Sequence, residues 1–202
     1  MLRASVLTLV LACGLASCGT DDPAPEPTPT ASADTPTATP TPTEAGFGES
    51  ESVDWSPATD LAGELSIRVD LVRRADFGDF AGLEGSGITA DNQPYYVDVV
   101  LANEGEADLG GLDVPLYLVD SAGRLSPPWR FASPFRPCDS GPLPASFGAG
   151  EESEQCLVFF ASPGAELVSI TFQPTAETAP VTWTGEVRSP KQRPTGKKGN
   201  RR

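Results

Sequence analysis

The residue types best suited to covalent chemistry in this 202-residue chain are its four cysteines, at positions 13, 18, 138 and 156; it contains no histidine. Without an imidazole there is no Ser-His or Cys-His nucleophile pair, no histidine-ligated zinc and no ordinary blue-copper site. Cys138 and Cys156 are too far apart for a Cys-x-x-Cys redox motif. Arg136 near the first thiol is offset by Asp139, and Glu154 flanks the second, so neither environment favours a thiolate. The pair reads as a structural disulfide, provided the chain is exported. Export is what the first residues predict: Arg3 supplies a short basic start, and an apolar run from Val6 to Leu15 has the length of a secretory leader. That run is too short to span a bilayer, which takes roughly 20 apolar residues.

The run ends in Leu15-Ala16-Ser17-Cys18, followed by Gly19-Thr20-Asp21-Asp22-Pro23. This tetrapeptide resembles a bacterial lipobox. The resemblance implies that residues 1–17 are a lipoprotein signal peptide, with a diacylglyceryl thioether and palmitate-like acyl chains on Cys18. Two or more such chains exceed the single-chain limit of readily reversible membrane binding. The expected partner of Cys18 is thus the membrane, and the expected location is its outer, extracellular face.

Other side chains offer weaker chemistry. Asp76, Asp79, Glu84 and Asp91 fall in loop-like sequence but lack the spacing of a calcium loop, so no metal site is expected. Gly82-Leu83-Glu84-Gly85-Ser86-Gly87 has neither dinucleotide spacing nor a P-loop lysine, and reads as a connection. No cofactor is expected. Acids are plentiful, so an envelope hydrolase using two carboxylates is the alternative function, but no pair is singled out. One loop stands out. Between Arg124 and Arg136, three arginines interleave with Trp129, Phe131 and Phe135, a composition enriched at binding hot spots. Trp129, Arg130, Phe131, Phe135 and Arg136 are the candidate partner-binding residues; otherwise the rings cap the core and the arginines pair with nearby acids.

These residues must be positioned by what lies around them. Residues 18–54 are expected to be a disordered stalk: Thr35-Pro36-Thr37-Ala38-Thr39-Pro40-Thr41-Pro42-Thr43 favours extended polyproline II and carries almost no large apolar groups. Its threonines are candidate glycosylation sites. Residues 188–202 hold seven basic residues and are expected to form a disordered tail, solvated or folded back on the acidic domain, with anionic wall polymer or lipid headgroups as the alternative contact. Residues 55–187 set six arginines against 20 acids, which disfavours nucleic acid and leaves envelope proteins as candidate partners.

Within 55–187 the apolar pattern has period two. Leu65, Ile67, Val69 and Leu71 predict one strand; Tyr95, Val97, Val99 and Leu101 a second; Leu112, Val114, Leu116 and Leu118 a third, with Pro115 placing it at an edge or bulge. Further strands are expected at 155–161, 167–173 and 181–187, separated by Gly148-Ala149-Gly150 and Ser162-Pro163-Gly164. Such a series predicts an all-β, antiparallel sandwich. The order of these strands, with Leu118-Val119-Asp120-Ser121-Ala122-Gly123-Arg124, Phe147-Gly148-Ala149-Gly150-Glu151-Glu152 and the late Trp183, resembles the immunoglobulin-like extracellular domain, telokin-like or immunoprotective-antigen-like, of actinobacterial lipoproteins. The resemblance implies an immunoglobulin-like sandwich and no enzymatic role. It does not require the Cys138–Cys156 pair. The expectation is therefore a lipid-anchored surface protein with a non-catalytic binding or accessory domain, or else a passive structural lipoprotein.

Overall fold

The computed structural model describes residues 41–81 and 87–190. The leader, Cys18, the stalk as far as residue 40, Glu84 with most of the glycine-rich segment, and the tail from residue 191 lie outside the described residues. Among the described residues ten strands run in chain order: β1 (Thr43–Gly46), β2 (Ser50–Ala58), β3 (Leu61–Arg74), β4 (Pro94–Asn103), β5 (Leu116–Asp120), β6 (Leu125–Ser126), β7 (Glu152–Phe160), β8 (Leu167–Phe172), β9 (Val181–Thr184) and β10 (Val187–Arg188). A 3₁₀ turn, Phe77–Phe80, follows β3. None of the described helices is long and apolar enough to cross a membrane.

The strands form two sheets, in the orders β1-β9-β8-β5-β6 and β10-β3-β4-β7, with β2 also on β3. The expected β-sandwich is present, with two amendments. Ordered strand begins at Thr43, not near residue 55: Ala45, Val53 and Trp55 are buried, and this alternation was hidden by the Pro/Thr composition just before it. Two short edge strands also pair in parallel, β1 with β9 and β10 with β3, in an otherwise antiparallel structure.

Inward alternation builds the core as expected. Leu65, Ile67 and Val69 of β3, Tyr95, Val97, Val99 and Leu101 of β4, and Leu157 and Phe159 of β7 face Leu116, Leu118, Ile170, Phe172 and Trp183 of the opposite sheet. The phase expected at Leu71 is not kept. A bulge between Val69 and Leu71 inserts a residue, so Val72 takes the core position and Arg73 turns outward. The third strand starts later than expected, at Leu116, because Pro115 cannot donate to a ladder.

Asp120 closes the end of β5 and is buried. Its Oδ1 accepts the N–H groups of Ala122 (3.0 Å) and Arg124 (2.9 Å), and its Oδ2 accepts that of Ser162 (3.0 Å). Burial alone would raise its pKa, but the hydrogen bonds from Ser162, Arg124 and Ala122 prevail and hold it below the usual carboxylate value. With the folded pKa depressed, the stabilisation from ionised Asp120 is complete above the ordinary carboxylate pKa. It is lost as pH falls through the folded value. Urea unfolding across an acid pH series is expected to lose part of its slope in Asp120→Asn; an unchanged slope would contradict this role.

Candidate functional site

The connection from β6 to β7, residues 127–151, does not hang free. Its first part lies on the outer face of the β10-β3-β4-β7 sheet and covers apolar residues that strand alternation would otherwise leave in water. Tyr96 of β4 and Val158 and Phe160 of β7 point outward, yet all three are buried, together with Phe80 of the 3₁₀ turn and Cys138. The continuous apolar run Leu157-Val158-Phe159-Phe160 is the sequence mark of a strand covered on both faces.

Three kinds of contact hold the cover. Cys138 and Cys156 form the expected disulfide, Cα to Cα 5.2 Å. The Trp129 N–H donates to the Val158 carbonyl at 2.6 Å, and Gln155 Nε2 to the Pro142 carbonyl at 3.1 Å, both along the outer edge of β7. Rings supply the rest: Phe135 stacks on Phe80 (5.0 Å) and on Phe131 (4.4 Å), while Trp129 meets Phe160 edge-on at 5.5 Å. Such contacts are worth about 0.5–1.5 kcal/mol each beyond the area they bury.

The five candidate binding residues therefore separate. Phe131 and Phe135 lean onto the sheet and are half-buried. Arg130 is paired with Asp113, and burial pushes its pKa down. Arg136 is exposed and makes no ion pair among the described residues. Trp129 is half-buried and, with Pro127, Pro128, Ile88 and Phe160, borders an open groove of ≈ 300 Å³.

A larger groove, ≈ 490 Å³, lies on the same sheet and was not anticipated. Its lining includes Arg73, Tyr96, Asp98, Asp79 and Arg188. The bulge in β3 aims Arg73 here, and the short β10 brings Arg188 alongside, so only the folded register assembles the set. Arg73 Nη2 donates to both oxygens of Asp98 (3.0 and 3.2 Å), and the guanidinium carbon sits 5.4 Å from the Tyr96 ring centre. The Tyr96 hydroxyl donates to Asp79 Oδ2 at 3.1 Å; burial, then the Asp79 charge, push its pKa well up. A phenol held protonated and two engaged carboxylates suit recognition better than proton transfer at neutral pH. Among the described residues no cluster of three or more His, Cys, Asp or Glu side chains could hold a metal.

Comparison with solved structures supports the architecture. The chain is similar to the 1.5 Å crystal structure of MPT63, a secreted protein from Mycobacterium tuberculosis, with a TM-score of 0.51 and 14% identity. The match covers 71% of this chain and 98% of that one, so it takes in nearly the whole of MPT63. At that identity the likeness is one of fold. No protein-family model matches the chain, and no curated protein does.

Proposed function

We propose that this protein is a lipid-anchored surface protein of the bacterial envelope, tethered through Cys18, and that its sandwich is a non-catalytic binding domain. The Pro/Thr segment between Cys18 and Thr43 would hold the domain off the bilayer, with a reach of about 75 Å if extended. The disulfide fits an oxidising, extracytoplasmic location. The observation that carries the binding role is the cover: a disulfide-pinned segment that presents Trp129, Arg130 and Arg136 on the sandwich surface. Such a segment is a fixed platform, and contact residues on a rigid platform lose little entropy when a partner binds.

The test of the tether is the intact mass of the chain extracted from membranes. The expected species begins at Cys18 and carries diacylglyceryl and acyl mass. Cys18→Ala is expected to keep its leader or appear in the medium without lipid. A membrane-derived chain with unmodified Cys18 would overturn the anchor.

A further inference from the structure

Two of the three arginines lining the larger groove, Arg73 and Arg188, form an arrangement that the fold does not need. Arg188 of β10 is the register partner of Arg73 of β3, so two like charges stand side by side on one face of the sheet. Such a pair directly opposite is destabilising on its own. Asp98 relieves only part of it, since it takes Nη2 of Arg73 alone; Nε of Arg73 is buried and has no hydrogen-bond partner. Arg188 makes no ion pair among the described residues. The uncompensated positive charge of this pair lies along the open groove, where the Arg188 guanidinium would gain an acceptor.

From this geometry we infer that the groove is a binding site for a small zwitterion, with its carboxylate on Arg73 and Arg188 and its ammonium toward the aspartates. Planar guanidinium forks match a carboxylate with two parallel hydrogen bonds. The rest of the charged lining explains the second half of the ligand. Arg74 is held by Glu166 and Arg73 by Asp98, which leaves Arg188 on the same lining as Asp76 and Asp79. A simple anion on the arginines would also meet the neighbouring carboxylates, and a simple cation on the carboxylates would meet the guanidiniums. A ligand carrying one charge of each sign meets both favourably, and ≈ 490 Å³ has room for an amino acid or a short peptide. Leu71, Ala75 and Pro190 give that body an apolar wall.

The test is a backbone-amide NMR titration of the folded chain with L-alanyl-L-alanine. Expected are saturable shifts at Ala75, Tyr96 and Arg188, weakened about tenfold by capping either end of the dipeptide, and about tenfold by Arg188→Gln. Arg188 sits at a strand end outside the core, so this variant is expected to keep the wild-type spectrum elsewhere. No shifts at millimolar dipeptide, equal shifts from the doubly capped peptide, or unchanged affinity in Arg188→Gln would each overturn the site. None of these outcomes bears on the lipid at Cys18 or on the cover.

Discussion

Replacing Cys138 and Cys156 together by serine is expected to lower unfolding stability by about 3 kcal/mol, the loop-closure contribution for a disulfide of this span. The effect should be local as well as global. The disulfide pins the cover at one point on β7, and along that strand the Trp129 and Gln155 hydrogen bonds and the Trp129–Phe160 ring contact reinforce it. Without it, Phe131 and Phe135 hold Phe80 by stacking alone, and Tyr96, Val158 and Phe160 become intermittently accessible to solvent. Urea denaturation should show the lower midpoint, and hydrogen exchange should show faster opening on β7 than on β8. Unchanged midpoint and exchange would mean that the stacked rings suffice to fix the cover.

The second large effect is expected at Trp183. Its side chain is fully buried between the sheets, and its Nε1 donates to the Glu49 carbonyl at 3.0 Å, fixing the β1–β2 connection where the chain passes between sheets. Gly48 makes that passage possible with φ of 93°, a conformation that costs other residues. Trp183→Ala removes a large core group and leaves that carbonyl without this donor, a loss of about 3–5 kcal/mol. Trp183→Phe should cost less, since it keeps most of the apolar volume and drops the hydrogen bond, worth about 1 kcal/mol. Equal losses in the two variants would place the stabilisation in the indole N–H, not in packing.

How much of this could be read in the chain follows from what each element depends on. The strands around Ile67, Val97 and Ile170 were legible because a half-buried strand writes its burial directly as alternation. The disulfide was legible because it needs only two cysteines and an oxidising location. The bulge after Val69 was not, since an inserted residue changes phase without changing composition, and it decides that Arg73 faces out. β1 and β2 were masked by the neighbouring Pro/Thr run. The larger groove was invisible for a deeper reason: Arg73, Tyr96 and Arg188 meet through a four-residue parallel contact and a shifted register, both long-range. The aromatic loop was visible as a composition, yet the direction of each ring was not. Phe131 and Phe135 serve the sheet, and Trp129 stands between the sheet and the solvent.

Under the proposed function, the cover on the β10-β3-β4-β7 sheet meets a partner outside the membrane. Chemical crosslinking on intact cells followed by mass spectrometry tests this contact, comparing the wild-type chain with the Trp129→Ala, Arg130→Ala double variant. The double variant gives up the Trp129 edge contact with Phe160, but the disulfide and the stacked Phe80, Phe131 and Phe135 remain, so the domain is expected to stay folded. The prediction is a crosslinked partner species that contains residues of the cover and is lost in the double variant at equal surface abundance. An identical crosslinking pattern from the folded double variant would contradict the claim.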